Sequence, residues 1–303
     1  MIDWPSYNRS LVRSGEILFS YDFLDSWGSE MEKMNNNKKG KPFIFPNSFI
    51  LAIGYIRYSF HLPYRQTEGI IKATGKRLPS NSPSYGHICK RINKLSIDIK
   101  RDGTGDGDGD GDGDDLMISI VSTGIKVTNR GQWMSEKWNK QNRKGYLKIH
   151  VAVDIKTKEV LALEITDEKV HDSKMLKKLV NNVLDNQDKK KIKSVLADGA
   201  YDSNTNFKYL EDKKVIPVIK VRRNSIVSIR NNRLRNKEVR LQTIEDDRLK
   251  WKKKRNYGHR WMAETAFSTI KRMFGEYTSA SRFQNMVKEM MIKVSLYNLF
   301  RII

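Results

Sequence analysis

The chain has 303 residues, of which 38% are hydrophobic, with a single cysteine and a formal net charge of +22. This length suffices for two domains, or one large one, with an ordinary hydrophobic core. The lone Cys89 excludes an internal disulfide and a metal site built from cysteines. No apolar run approaches the roughly 20 residues needed to cross a bilayer, and residues 1–10 lack the features of a signal peptide. We therefore expect a soluble, cytoplasmic protein with no membrane partner.

The positive charge is the strongest signal in the composition, and it indicates a polyanionic partner. It is concentrated in residues 221–260, which contain 14 Lys and Arg against 4 Asp and Glu. A merely solvated surface usually intersperses both signs, so phosphates are the natural counter-charge. Nucleic acid is the predicted partner. From charge alone, an acidic membrane surface or a ribosome stays an alternative.

Residues 1–100 are predicted to form a mostly helical N-terminal domain, with helices at 16–34, 47–61, 64–74 and 83–95. The last helix is the best marked, because Ser82 can cap it and Pro83 suits its first position. Its Lys90, Arg91 and Lys94 are predicted to form a basic outer face. Two helices joined around 75–82 suit a helix-turn-helix-like DNA reader. The connection is longer than the usual tight turn, so a plain helical bundle remains open.

A low-complexity run of alternating Asp and Gly at 101–115 is predicted to be a flexible linker. After it, residues 116–303 alternate between short strands and helices in the order of a ribonuclease H-like mixed sheet with flanking helices, an α/β fold. The predicted strands are 116–121, 147–154, 160–166, 193–197 and 215–221, and the predicted helices are 173–184, 205–213 and 262–274.

Four residues near the C-terminus have a distinctive spacing: Tyr257, Arg260, Glu264 and Lys271. The last three lie about one and two turns apart on a helix, so one face presents a carboxylate between two cations. Taken alone, this is an ordinary exposed helix face with ion pairs. The complete spacing resembles the Tyr-Arg-Glu-Lys signature of DDE-type insertion-sequence transposases, and is closest to that of the insertion sequence group five transposases.

Three other stretches agree with this resemblance. LADGAYD at 196–202 resembles the second catalytic block of the family. STGIKVTNRG at 122–131, together with KIHVAVD at 148–154, resembles the first block and the strand that follows it. LPYRQTEG at 62–69 is similar to the family's N-terminal domain. The resemblance spans nearly the whole chain outside the Asp-Gly linker.

The resemblance implies a polynucleotidyl transferase that binds terminal inverted repeats and catalyses DNA cleavage and strand transfer. Two aspartates and a glutamate would hold a pair of Mg²⁺ ions, for which oxygen ligands are suited. Asp198 matches the second carboxylate and Glu264 the third, both as metal ligands. Tyr257, Arg260 and Lys271 would contact DNA. Transposon ends and target DNA would be the partners, a homodimer would form on synapsis, and the location would be the prokaryotic cytoplasm, at the nucleoid.

The first aspartate of the pattern is missing, because its place is taken by Val121. Valine suits a buried strand but supplies no oxygen to a metal. We therefore expect a copy that keeps the fold and DNA affinity but is catalytically impaired. The alternatives are an active transposase with an altered first ligand, a catalytically inactive remnant that represses transposition by binding element ends, and a ribonuclease H-like nuclease unrelated to transposition.

Single aromatic residues and histidines carry less information. His150 and His171 are more often structural than functional in such positions. Trp133, Trp138 and Trp261 suit stacking on bases, although packing in a core is the commoner use of tryptophan.

Overall fold

The computed structural model of the chain describes residues 3–74, 78–97, 99, 115–127, 146–186, 191–243 and 245–301. The Asp-Gly linker at 101–114, the end of the first block at 128–131, and Trp133 and Trp138 lie outside the described residues. The chain divides into two compact units, Met1–Asp98 with Ala280–Ile303, and Ile99–Ser279. No helix in the described part of the chain combines the length and the apolarity needed to span a membrane.

All the regular secondary structure in the described residues of the first unit is helical, as predicted. Its helices are α1 Trp4–Leu18, α2 Trp27–Asn35, α3 Asn47–Ser59, α4 Tyr64–Thr74 and α5 Tyr85–Ile92. The prediction of one helix over 16–34 is wrong, because α1 ends at Leu18 and α2 begins at Trp27. Between them, the Ser20 hydroxyl accepts a hydrogen bond from the Asp22 N–H at 3.1 Å, a side-chain bond that competes with helix continuation.

Helix α5 begins two residues later than predicted. Ser84, not Ser82, is its N-cap: Ser84 is extended (φ −68°, ψ 156°) and its hydroxyl accepts from the His87 N–H at 3.3 Å. The predicted basic face is also smaller. Lys90 and Lys94 are exposed, but Arg91 is buried and donates to the Asn47 side chain at 2.8 Å.

The last helix, α11 (Phe283–Arg301), belongs to the first unit, where it packs against α3. Gly54 of α3 permits this close approach, because a Cβ at that position would lie 3.3 Å from the Ile292 side chain. A buried ion pair between Glu289 and Lys293, at 2.9 Å, lies on α11 itself. The sequence-based boundaries placed all of 116–303 in one domain, whereas the structure joins 280–303 to the N-terminal helices.

The second unit contains a mixed sheet of six strands among its described residues. The strands are β1 Leu116–Val127, β2 Tyr146–Asp154, β3 Val160–Asp167, β4 Ile192–Ala197, β5 Ile216–Ile219 and β6 Tyr277–Thr278. The order is β3-β2-β1-β4-β5, with β6 pairing to the end of β1. β2 is antiparallel to β1 and β3, whereas β4 and β5 run parallel to β1. The predicted ribonuclease H-like sheet is confirmed, with β1 six residues longer than expected.

Helices cover both faces of this sheet. They are α6 Leu176–Asn186, α7 Asn204–Asp212, α8 Arg233–Thr243, α9 Glu245–Lys254 and α10 Trp261–Phe274. Helices α6 and α7 enclose the larger core together with alternate residues of β1, including Ile118 and Ile120. Successive side chains of a strand point to opposite faces. Ser119, Val121 and Thr123 of β1 therefore point to the other face, which α10 covers.

Candidate active site

The middle of β1 is held against α10 by two polar contacts on either side of Val121. The Ser119 hydroxyl donates to the backbone carbonyl of Arg260 at 3.3 Å, and Lys271 Nζ donates to Thr123 Oγ1 at 2.9 Å. Val121 lies between these contacts on the same face of the strand and is 8% exposed. Its side chain therefore points to the side of the sheet on which α10 carries Glu264.

Asp198 lies next to this point because of the strand register. Ser119 of β1 pairs with Leu196 of the parallel strand β4, so two residues further along each strand Val121 is level with Asp198. β4 ends at Ala197, and Asp198 caps a short 3₁₀ turn by accepting the Ala200 N–H at 2.9 Å. This turn fixes the half-buried carboxylate at the strand end, beside Val121.

Glu264 lies in the first turn of α10, on a face open to solvent. Its side chain is 51% exposed, and Oε1 pairs with Nη2 of Arg260 at 2.5 Å, one turn earlier. A charge-assisted bond of this kind is among the stronger hydrogen bonds, but exposure to water weakens the ion pair. The pair therefore orients the carboxylate without removing it from solvent.

Tyr257 lies within electrostatic range of both carboxylates. Its ring is buried against Trp251, with 5.1 Å between the ring centroids. Burial raises the pKa of its hydroxyl, Arg260 acts against that shift, and the charges of Asp198 and Glu264 add to it. The hydroxyl is thus within electrostatic reach of all three charged groups. The structure brings together Tyr257, Arg260, Glu264 and Asp198, and Lys271 is bonded to Thr123, two residues beyond Val121.

This constellation does not fit a two-metal site. Asp198 and Glu264 supply carboxylate oxygens, but Val121 supplies none. Within the described ranges, no group of three His, Cys, Asp or Glu side chains is placed to hold a metal ion. The two-metal site that the sequence resemblance implies would need a third oxygen ligand at this position.

Neighbouring aspartates do not replace the missing carboxylate. Asp154 is opposite Ile118, and its two oxygens accept from Lys156 N–H and the Thr157 hydroxyl at 3.1 and 2.8 Å. Asp115 lies six residues before Val121, about 20 Å along an extended strand. Asp202 is occupied by Arg235, with Nε 2.7 Å from Oδ1.

The two histidines singled out from the sequence lie on the opposite face of the sheet. His150 pairs with Ser122 across β1 and β2, is fully buried, and contacts Thr166 Oγ1 at 3.0 Å. Burial lowers its pKa to about 4, although nearby Asp172 opposes the shift. His171 accepts the Ser173 N–H and ends the loop before α6. Both therefore have structural contacts.

Several polar contacts near the site involve residues far apart in sequence. The buried carboxylate of Glu238 on α8 accepts from Trp251 Nε1 at 2.5 Å and from Arg255 Nη2 at 3.0 Å. These two hydrogen bonds hold α8 and α9 together and support the Trp251 ring on which Tyr257 packs.

Trp261 is not a core residue, since it is 50% exposed at the start of α10.

Comparison with known proteins identifies the family. A family model described as a transposase DDE domain matches residues 12–130. Among solved structures, the chain is similar to one in a cryo-EM structure of the piggyBac transposase synaptic complex with hairpin DNA. The identity is 11% and the TM-score 0.43, over 96% of this chain and 74% of that chain. Another family model, also described as a transposase DDE domain, matches residues 114–299, which is more than half of the sequence. The chain therefore belongs to the DDE transposase family.

Proposed function

We propose that this chain is an insertion-sequence transposase, nearest to group five by its Tyr-Arg-Glu-Lys spacing, that binds the terminal inverted repeats of its element but cleaves them poorly. The main support for this proposal is the position of Val121, which lies beside Asp198 on the face of the sheet that α10 covers. Asp198 and Glu264 would hold metal ions, and Tyr257, Arg260 and Lys271 would contact DNA. Without a third carboxylate, the residues present would offer too few oxygen ligands for a pair of Mg²⁺ ions.

DNA binding is the part of the function that this chain retains. In residues 220–240 there are eight Lys and Arg and one acidic residue, Glu238, and Glu238 is buried. Phosphate contacts from such a surface supply affinity independent of sequence. In the first unit, exposed Lys90 of α5 and exposed Lys94, two residues after the end of this helix, are candidates for a second DNA contact. A protein of this kind, acting in the prokaryotic nucleoid as a dimer on two ends, would repress transposition by occupying the repeats.

The deciding experiment compares wild type with Val121→Asp and with Val121→Asn, a matched control that adds polar atoms but no charge. Cleavage of labelled duplexes carrying the element's ends is measured in Mg²⁺. We expect Val121→Asp to cut at least 100-fold faster than wild type, and Val121→Asn to remain inactive. Equal cutting by wild type and Val121→Asp would contradict the proposed impairment.

Thermal melting tests the same position without activity. An aspartate at a buried position destabilises a fold, and bound metal stabilises it by mass action. We expect Val121→Asp to melt below wild type in EDTA and to recover several degrees in 10 mM Mg²⁺, whereas wild type and Val121→Asn respond little. A magnesium response as large in wild type would show that the native residues already form the site.

The alternative of an unrelated ribonuclease H-like nuclease predicts a different substrate preference. The complete spacing of Tyr257, Arg260, Glu264 and Lys271 favours the element's ends, because a simple nuclease has no need of it. A Val121→Asp variant that cuts hybrid duplexes but not the element's ends would favour the nuclease.

A further inference from the structure

An apolar tip projects from the most basic part of the second unit. Residues 222–232 follow β5 and are called the arginine loop here. Ile229 is 100% exposed, Ile226 73% and Val227 42%. Single exposed apolar residues are common on protein surfaces. Three in one short loop, including an isoleucine with its whole side chain in water, mark a surface that is built to contact a partner.

The base of the arginine loop is fixed to the turn that carries Asp198. The Arg222 N–H donates to Asp202 Oδ2 at 3.1 Å, and Arg222 Nε donates to the carbonyl of Gly199 at 3.0 Å. Ser225 Oγ donates to Asp202 Oδ2 at 2.7 Å. Because Gly199 directly follows Asp198, the loop is tied to the strand end where the candidate active site begins.

The far side of the loop is fixed by asparagine side chains. Asn236 of α8 accepts from the Ser228 N–H at 3.2 Å and donates to its carbonyl at 2.8 Å. Asn231 donates to the carbonyl of Ile226 at 2.8 Å, and Asn232 caps α8 through the Leu234 N–H at 2.9 Å. With its backbone held in this way, the loop presents Ile226 and Ile229 in a defined geometry.

The charges around the tip define the chemistry of the partner. Arg222, Arg223, Arg230 and Arg233 are exposed on or beside the loop. A partner must therefore offer many negative charges together with an apolar slot. Double-stranded DNA offers both, because phosphates line its grooves and an aliphatic side chain can enter between stacked bases.

We propose that Ile229, assisted by Ile226, acts as an apolar wedge that enters the base stack of bound DNA and unstacks a step next to the Asp198 end of the sheet. The proposal rests on the proposed DNA-binding function. The arginines hold the backbone on both sides while the isoleucine separates the bases. Local unstacking next to the cutting position would open the duplex there and favour sequences with weakly stacked steps.

The test uses the full chain and mixed-sequence 30-base-pair duplexes carrying 2-aminopurine at successive positions, since this base brightens on unstacking. Wild type is compared with Ile229→Ser and with Leu249→Ser, a matched control. Leu249 is 53% exposed on α9 within the same basic region. We expect wild type and Leu249→Ser to raise the fluorescence at least threefold at one or two positions. Ile229→Ser should lose most of this rise and bind about tenfold more weakly, as for loss of a contact inside the stack.

Each other outcome overturns the proposal. Tight binding with no fluorescence rise in wild type, or an equal rise in Ile229→Ser, rejects the wedge and leaves the DNA-binding function standing. No binding to any duplex in low salt rejects both. If Ile229→Ser instead abolishes self-association in sedimentation, or binding to anionic lipid vesicles, with unchanged fluorescence on DNA, the tip contacts a second copy or a lipid surface and not DNA.

Discussion

Thr123 and Lys271 form the hydrogen bond that holds the second half of α10 against β1. The resemblance assigns Lys271 to DNA, whereas in the structure its Nζ donates to Thr123 Oγ1 at 2.9 Å. The two roles are compatible, because an ammonium group has three donors. Thr123 thus holds the ammonium group of Lys271 beside β1. A substitution at Thr123 can therefore move this cation without removing its charge.

We expect Thr123→Val to reduce DNA affinity about fivefold and to lower the free energy of unfolding by about 1 kcal/mol, the value of one lost hydrogen bond. Thr123→Ser keeps the hydroxyl and should retain most of both. Urea unfolding and DNA titration measure the two effects. If valine and serine give the same affinity, the hydrogen bond does not position Lys271.

His150 makes stability depend on pH. Its pKa is lowered from an ordinary 6.5 to about 4 by burial, so between these values the unfolded chain binds a proton that the folded chain does not. The contribution of His150 to the free energy of unfolding is therefore fully present above pH 6.5. It is lost as the pH falls towards 4, and the loss amounts to about 3 kcal/mol.

We expect the melting temperature of wild type to fall between pH 6.5 and 4, and that of His150→Gln to fall less over the same window. Glutamine keeps a hydrogen-bonding group for Thr166 but does not titrate. Burial raises the pKa of Asp202, but Arg235 and the other hydrogen-bond donors lower it by more, so that it lies below its ordinary value of 3.8. The protonation of Asp202 therefore affects stability only below about that pH. Parallel curves for the two proteins above pH 4 would assign the acid sensitivity to other groups.

At the scale of elements, the sequence predicted what depends on local pattern. The segments 116–121, 147–154, 160–166 and 193–197 each contain a short apolar stretch, and the structure places strands there. Helices α8 and α9 were not predicted, since their polar, basic sequences carry little apolar periodicity. They are held instead by Glu238 and its contacts with Trp251 and Arg255. Because these contacts join residues that are 13 and 17 positions apart, no local sequence pattern predicts them.

The candidate site was predictable in part for a similar reason. Asp198 and Glu264 were identified from resemblance, and the structure brings their elements together around Tyr257. The links through Ser119 and Thr123 were not identified. Each joins residues more than 140 positions apart, and nothing in a hydroxyl on a strand specifies its partner.

The Asp202–Arg235 pair determines whether the arginine loop is rigid. Arg235 contacts both carboxylate oxygens, at 2.7 and 3.1 Å, and the carboxylate is buried. Removing one partner of such a pair leaves an uncompensated buried charge. The loop and α8 would then lose their common anchor.

We expect Asp202→Asn to lower the free energy of unfolding by about 3 kcal/mol and to speed hydrogen exchange in residues 222–236. Asp212→Asn, a matched change at an exposed position on α7, should change neither. The measurements are denaturant unfolding and peptide-resolved hydrogen exchange. Unchanged exchange in the loop of Asp202→Asn would show that the asparagine contacts alone hold it.

At the scale of the whole molecule, the chain returns to its first unit after completing the second. Ile292 of α11 is fully buried in the core that Phe49, Ile50 and Ile53 form. The family model matches through residue 299 and so includes most of this helix. The core of the first unit therefore includes a residue from the last helix.

We expect Ile292→Ala to lower the free energy of unfolding of the first unit by 2–5 kcal/mol, through lost burial and an unfilled cavity. Ile216→Ala, at a 40% exposed position of β5, is the matched control and should cost less than 1 kcal/mol. Hydrogen exchange of α3 and α5 localises the effect. Fast exchange confined to the second unit in Ile292→Ala would contradict the assignment of α11 to the first unit.

The net charge of +22 predicts DNA binding with a steep salt dependence, but its distribution decides how much of that charge is used. Each neutralised phosphate steepens the slope of log affinity against log salt by about 0.9. If the basic surface around the arginine loop is the binding surface, neutralising it should reduce the slope. Neutralising cations elsewhere should not, although the net charge falls equally.

We therefore compare two triple variants, each of which lowers the net charge from +22 to +19. One carries Arg223→Gln, Arg230→Gln and Arg233→Gln. The other carries Lys174→Gln, Lys177→Gln and Lys178→Gln, exposed positions on and before α6. Duplex binding between 50 and 200 mM salt should show a slope smaller by about 3 for the arginine triple and nearly unchanged for the lysine triple. Equal reductions would mean that DNA responds to the overall charge and not to this surface.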